Sequence, residues 1–164
     1  MSSAPSLEHR AGNSRDLVKI DFPVDDEVAR EYGEYETMWA RSLGDARYEL
    51  RNIPIWVFDL SLGDEIFAKP NLDGDNLLFS GIAARGGHST YRIRICREAL
   101  AHGYQEAWRP LEELGCGQER SSETLRTIDV RPEADIYRVY SLLEGGMCRS
   151  VWQFDELHVG HALK

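Results

Sequence analysis

The first half of the chain alternates between apolar and polar residues, which is the period of half-buried strands. In LVKIDFPV, Val18, Ile20 and Phe22 are separated by polar residues. The segments ETMWARSL and ARYELRNI show the same alternation and are joined by a Leu-Gly-Asp turn. LSLGDEIFAKP then reads as a turn that leads into a further strand. This pattern predicts a small antiparallel, barrel-like sheet.

Two segments interrupt the alternation. The acidic stretch 25–36 predicts a solvated loop or a single helical turn. The run IPIWVF, residues 53–58, is the most apolar of the chain, but Pro54 argues against a central strand. We therefore expect a buried crossing segment, or a short strand after the proline.

The central stretch, residues 77–95, contains two strand-like runs that meet at Gly86-Gly87. We predict a hairpin here. In its second strand Tyr91, Ile93 and Ile95 alternate with arginines, so we expect these three residues to face the core and the arginines to face the other way.

The second half of the chain changes to helical spacing. Helices are predicted over residues 105–114 and from Pro132 onward, with strands over 123–130 and 150–160. Together with the strand of Tyr91 this is a βαβαβ order, which indicates a ferredoxin-like half.

The predicted fold class is therefore α+β, a barrel-like sheet joined to this ferredoxin-like half. We expect a disordered tail at 1–16, a β subdomain at 17–97 and an α+β subdomain at 90–164. The strand 90–96 is expected to be shared between the two subdomains.

The net charge of −9 is unevenly distributed. Residues 77–97 contain four arginines and no acid, whereas the flanking segments 1–76 and 98–164 have net charges of −8 and −5. An acidic surface disfavours binding to nucleic acid or anionic membranes, and the acid-free window suggests a local anion site. Three cysteines without a CxxC motif, and no signal peptide, predict a cytoplasmic protein.

Catalytic, metal-binding and cofactor motifs are absent from the sequence, so we expect a protein that is not an enzyme and that has no cofactor. The candidate residues for binding a peptide or an anion are Arg85, His88, Ser89, Arg92, Arg94 and Trp56. Arg92 and Arg94 would form a paired fork for a carboxylate or phosphate. The alternative is that the arginines pair with the chain's own acids and that Trp56 belongs to the core or to an interface between the subdomains.

An enzyme that acts on a small anionic substrate is an alternative hypothesis. It would use His88 with Asp59 or Cys96 beside the arginines. It predicts that these groups lie within hydrogen-bonding reach of one another.

The segments KIDFPVDDE, ETMWARSLGDARYELRNIP, LSLGDEIFA and RGGHSTYRIRI, in that order, resemble a family of small bacterial proteins. This family is a domain of unknown function, common in actinobacteria and myxobacteria, and the resemblance covers roughly residues 17–160. It implies a bacterial cytoplasmic protein and transfers no catalytic residues.

The favoured function is a non-catalytic accessory protein that holds a peptide or protein segment in a cleft between the two halves. Such a protein could present a precursor peptide to a modifying enzyme. A second hypothesis is an immunity or antitoxin-like inhibitor that blocks a basic partner through its acidic surface. A twofold homodimer through an exposed strand edge, or through the strand of Trp152 and Phe154, is a further candidate assembly.

Overall fold

The computed structural model describes residues 17–164, which form an α+β fold with two sheets. Within these residues there are nine strands and four helices. The strands are β1 (Leu17–Pro23), β2 (Tyr35–Gly44), β3 (Arg47–Leu50), β4 (Glu65–Pro70), β5 (Leu77–Ala84), β6 (Ser89–Ile95), β7 (Gly117–Arg120), β8 (Leu125–Val130) and β9 (Trp152–His158). The helices are α1 (Asp26–Tyr32), α2 (Arg97–Ala101), α3 (Tyr104–Glu113) and α4 (Ile136–Cys148). The predicted tail at 1–16 lies outside the described residues.

The first sheet contains strands β1 to β5 in sequence order and closes on itself. Neighbouring strands are antiparallel, and β1 also pairs in parallel with β5, where Ile20 lies opposite Leu77. The alternating apolar residues point inward and form one core, in which Ile20, Phe22 and Met38 are buried. Closure leaves this small sheet without a free edge, which removes a site of unwanted strand pairing.

The second sheet has the antiparallel strand order β7-β8-β6-β9. Helices α3 and α4 pack with Tyr91, Ile93 and Ile95 in a second core, where these three residues are at most 2% exposed. The prediction that they face the core is therefore confirmed. The opposite face of β6 lies away from α3 and α4 and faces the segment between β3 and β4, since Thr90 bonds to Ser61 and Arg92 bonds to the carbonyl of Ile55.

The connection between β3 and β4 contains no strand, so the predicted strand after Pro54 does not form. One carboxylate replaces the missing sheet hydrogen bonds. The oxygens of Glu36 accept from the backbone N–H groups of Ile55, Trp56 and Val57 at 2.8–2.9 Å. The segment is therefore fixed in an irregular conformation against the second sheet.

Three predictions about individual elements were wrong. Strands β5 and β6 do not form a hairpin, because β5 pairs with β1 and β4 whereas β6 pairs with β8 and β9. The order of the second half is βααββαβ, because α2 and α3 both follow β6 and the short polar strand β7 precedes β8. The acidic stretch contains a seven-residue helix, α1, whose first turn is capped by the Asp25 side chain.

The subdomain boundaries at 17–97 and 90–164 stay a prediction. Among the described residues, β6 forms its strand pairs only within the second sheet. The strand proposed as a dimer surface is constrained by packing, because Trp152 is buried and its indole N–H donates to Leu143 O at 3.0 Å. No helix in residues 17–164 is both long and apolar enough to span a membrane.

Candidate functional site

The six residues predicted to bind a ligand fall into two groups. Trp56, Arg92 and Arg94 lie on the side of the second sheet opposite α3 and α4. Arg85 and His88 lie in the turn between β5 and β6, and Ser89 is the first residue of β6; we call these residues together the 85–89 turn. The two groups differ in how many of their hydrogen-bond donors already bond to acceptors within the protein.

Arg92 is held in place by three kinds of contact. Its Nε and Nη2 atoms donate to one carboxylate oxygen of Asp155 at 3.1 and 2.8 Å, and Nη1 donates to the Ile55 carbonyl at 2.9 Å. The guanidinium lies 5.2 Å from the centre of the Trp56 ring and 5.9 Å from that of Phe58. Its side chain is only 14% exposed, so these cation–π contacts are partly shielded from water.

Trp56 is covered on its other side by helix α1. The ring of Tyr32, at the end of α1, stacks on the Trp56 ring with a centroid distance of 4.2 Å and an interplanar angle of 22°. Tyr32 and Phe58 are each 51% exposed. We call the five residues Tyr32, Trp56, Phe58, Arg92 and Arg94 the aromatic–arginine surface.

Arg94 is the arginine of this surface whose N–H donors remain available to a ligand. It is exposed, and no hydrogen bond or ion pair within residues 17–164 engages its guanidinium. It is close enough to Tyr32 for its charge to lower the pKa of that phenol, although the hydrogen bond to Glu31 is the largest influence and the net shift is upward. The predicted fork of two free arginines is wrong, because Arg92 is already paired with Asp155.

Three residues of this site were not identified from the sequence, namely Tyr32, Phe58 and Glu36. Glu36 is one acid in a long acidic stretch, and nothing local distinguishes it as the carboxylate that holds the backbone of residues 55–57. Phe58 ends an apolar run that suggested burial, yet its ring is half exposed. The sequence offered one signal, the number of Tyr, Trp and Phe residues expected near the walls of the cleft.

In the 85–89 turn, the guanidinium of Arg85 donates hydrogen bonds to acceptors within the chain. Its Nη1 donates to Asp59 O at 2.6 Å and to Asp64 Oδ2 at 3.1 Å, and its Nη2 donates to Asp59 Oδ1 at 2.9 Å. The fully buried Asp64 carboxylate also accepts from the backbone N–H groups of Gly86 at 2.8 Å and Ser61 at 3.0 Å. Asp64 thus connects the turn before β4 to the 85–89 turn.

His88 pairs with Asp129, not with Asp59 as the enzyme hypothesis required. Its Nδ1 donates to Asp129 Oδ1 at 2.7 Å, and this hydrogen bond raises the pKa of the imidazole, partly opposed by burial. Cys96 follows the opposite end of the seven-residue strand β6, on the order of 20 Å away. Asp59 instead approaches His158 Nδ1 at 3.2 Å.

Ser89 is buried, and its hydroxyl forms hydrogen bonds with the residues that follow β9. Its hydroxyl lies 2.6 Å from His161 Nδ1 and accepts from the backbone N–H of Gly160 at 3.0 Å. His161 Nε2 in turn donates to the carbonyl of Arg131 at 2.9 Å. Ser89 is therefore not available as a ligand donor, and the prediction that it binds an anion is wrong.

The pairs that the enzyme hypothesis named, His88 with Asp59 and His88 with Cys96, are not formed. Among the described residues, no cluster of three or more His, Cys, Asp and Glu side chains is placed to hold a metal ion. What remains accessible is a rigid set of aromatic rings beside a free arginine.

The comparisons with known proteins agree with the fold. The chain resembles a crystal structure of a hypothetical protein from Neisseria gonorrhoeae with a TM-score of 0.69 and 15% sequence identity, over 88% of this chain and 96% of that chain. At this identity the likeness shows the fold alone. No curated protein matches the sequence.

A family model described as "Domain of unknown function (DUF4265)" matches residues 36–154. This confirms that the sequence resembles a domain of unknown function, whereas the expected distribution in actinobacteria and myxobacteria stays a prediction. Because the match covers most of the chain, including the segment of Trp56 and the strand of Arg92 and Arg94, the chain belongs to the DUF4265 family.

Proposed function

We propose that this chain is a non-catalytic binding protein that holds a segment of a partner protein on the aromatic–arginine surface. The observation that carries the proposal is Arg94, an exposed arginine without an ion pair among residues 17–164, beside the half-exposed rings of Tyr32 and Phe58. The rings would take apolar or aromatic side chains of the partner, and Arg94 would take a carboxylate.

Composition supports this proposal. Tyr, Trp, Phe and Arg are the residues enriched in the centres of protein interfaces, and Trp, Tyr and Arg dominate the binding energy there. All five members of the surface belong to this set. Their rigidity supports it too, because a partner would not have to order Trp56, which stacks on Tyr32, or Arg92, which is held by Asp155.

The surface combines residues from both halves of the chain, as binding between the two halves would require. Tyr32, Trp56 and Phe58 come from α1 and the segment before β4, whereas Arg92 and Arg94 come from β6. An accessory protein that presents a precursor peptide to a modifying enzyme would need such a preformed surface with an unpaired cation.

The test is a quantitative affinity purification from the native cell, in which wild-type and variant baits are compared by mass spectrometry. Phe58→Ala and Arg94→Glu should each reduce a specific partner at least about tenfold, because truncating an interface hot spot costs 2 kcal/mol or more. Arg109→Glu is the matched control, since Arg109 is also exposed, lies on α3 and has no ion pair within the described residues. A partner that is equally reduced by all three variants, or by none, contradicts the proposal.

The same variants distinguish the proposed function from the immunity or antitoxin-like hypothesis. Binding of a basic partner through the acidic surface would be retained or strengthened by Arg94→Glu, and its association rate would fall steeply with salt. Binding on the aromatic–arginine surface would instead be lost in Arg94→Glu and would depend less on salt, because apolar burial contributes most of it.

We also propose a finer description of the fold and its setting. The second half has the order β6-α2-α3-β7-β8-α4-β9. With the consecutive helices α2 and α3 taken as one crossover, and with the strand order β7-β8-β6-β9, this supports a ferredoxin-like unit attached to a small barrel. Three free cysteines support a reducing compartment such as the cytoplasm.

A further inference from the structure

A separate cavity lies on the helix side of the second sheet. It has a volume of about 250 Å³ and is lined by Tyr91, Tyr137, Tyr140 and Glu156, together with aliphatic side chains that include Ile136 and Val159. We call it the tyrosine pocket. Pockets for drug-sized ligands start at about 300 Å³, so this volume suits a small molecule.

The rings of the tyrosine pocket are held by one another and by the backbone. Tyr140 meets Tyr91 and Phe154 edge to face, at interplanar angles of 61° and 82°. The hydroxyl of Tyr137 accepts from the backbone N–H of Lys164 at 2.7 Å and donates to its carbonyl at 3.1 Å. The pocket wall is thus aromatic and already ordered, and aromatic rings attract a cation through their electron-rich faces.

The charged residue that lines the tyrosine pocket is acidic. None of its lining residues is positively charged. The exposed carboxylate of Glu156 forms no hydrogen bond or ion pair with the described residues. Its charge reaches the base of the pocket, since the pKa of the Tyr91 hydroxyl is raised, first by burial and then by Glu156.

We propose that the tyrosine pocket binds a small organic monocation whose nitrogen carries methyl groups, a quaternary ammonium. The rings and aliphatic side chains of the walls suit methyl groups, whereas a primary ammonium would lose there the hydrogen bonds that its three N–H donors make in water. Glu156 supplies the compensating charge at the rim. This site is distinct from the aromatic–arginine surface and does not depend on the proposed function.

The test is a calorimetric or NMR titration of the whole chain with choline. The control ligand is its uncharged isostere, in which a carbon atom replaces the ammonium nitrogen. Choline should bind saturably in the millimolar range, and the isostere at least about tenfold more weakly, because only the charged ligand gains from the rings and from Glu156.

Variants assign the binding to the pocket. Glu156→Gln should weaken choline binding about fivefold, and Tyr140→Leu about tenfold. Tyr140→Phe should change it less than about twofold, since the ring is kept and the Tyr140 hydroxyl has no hydrogen bond within the described residues. Arg94→Gln should bind choline like wild type, so loss of partner binding and loss of choline binding can be told apart.

The proposal is overturned if choline does not saturate below about 100 mM. It is also overturned if the uncharged isostere binds as tightly as choline, or if Glu156→Gln leaves the affinity for choline unchanged. Because Glu156 is exposed and unpaired among residues 17–164, its substitution should leave the fold intact, and a circular dichroism spectrum checks this.

Discussion

The 85–89 turn and the aromatic–arginine surface both looked like anion sites, yet the structure uses them differently. In the turn, Arg85 is bound to Asp59 and Asp64, and His88 is bound to Asp129. On the surface, Arg92 is paired but Arg94 is not. The difference shows that donors stay available to a ligand only where the fold supplies no internal acceptor, and that otherwise they hold the fold together.

The comparison predicts that substitutions in the turn change stability and that those on the surface change binding. The largest effect is expected for Asp64→Ala. It would leave the buried N–H groups of Ser61 and Gly86 without their acceptor and would remove the ion pair with Arg85. We expect a loss of about 3 kcal/mol in the free energy of unfolding, measured by urea denaturation.

The control for this variant is Asp59→Ala. Its carboxylate also contacts Arg85, but it is 69% exposed, so the expected loss is below about 1 kcal/mol. Equal losses in the two variants would mean that burial of Asp64 does not decide the effect.

Gly86→Ala should have the next largest effect. A Cβ atom at this position would lie 2.6 Å from the carbonyl oxygen of Gly63, where the two turns meet backbone to backbone. We expect a loss of about 2 kcal/mol in unfolding free energy. The control is Gly145→Ala in α4, where a Cβ meets no atom within 4 Å and should stabilise the helix by about 0.5–1 kcal/mol.

His88→Gln tests whether the histidine of the turn is a charged structural group. Glutamine can keep a hydrogen bond to Asp129 but does not titrate. The pKa of His88 is raised in the folded protein by its hydrogen bond to Asp129, so protonation stabilises the fold. This stabilisation is fully present below the unfolded pKa of about 6.5 and is lost as pH rises through the folded pKa.

Wild type should therefore be more stable than His88→Gln by about 1 kcal/mol near pH 6, and the difference should shrink above the folded pKa. Denaturation curves at a series of pH values measure it. A difference that is constant with pH would show that His88 acts through packing alone.

The smallest change in stability is expected for Arg94→Gln. Arg94 is exposed and has no ion pair in the described part of the chain, so the unfolding free energy should change by less than about 0.5 kcal/mol. The variant should nevertheless weaken binding of the partner segment, measured by titration of the tryptophan fluorescence of the chain, to which Trp56 contributes. A large loss of stability would mean that Arg94 holds the fold together, as the residues of the 85–89 turn do.

Local pattern predicted most of the elements. The alternation of Val18, Ile20 and Phe22 predicted β1, the spacing of residues 105–114 predicted α3, and the alternation in β6 correctly assigned Tyr91, Ile93 and Ile95 to the core. These predictions succeed because the period of apolar residues reflects which face of an element is buried. Strand β7, with the sequence GQER, was missed because it has no apolar alternation and depends on its pairing with β8.

What the sequence determined by itself was the type of each element and its buried face, together with the acid-free window of arginines. Tertiary structure decided which strands pair, so that β5 and β6 joined different sheets instead of forming a hairpin. It also decided which arginine is paired, because Asp155 lies 63 residues further along the chain and bonds to Arg92, whereas Arg94 forms no ion pair with the described residues. Pairing partners and ion pairs join residues distant in sequence, and a local pattern contains no information about them.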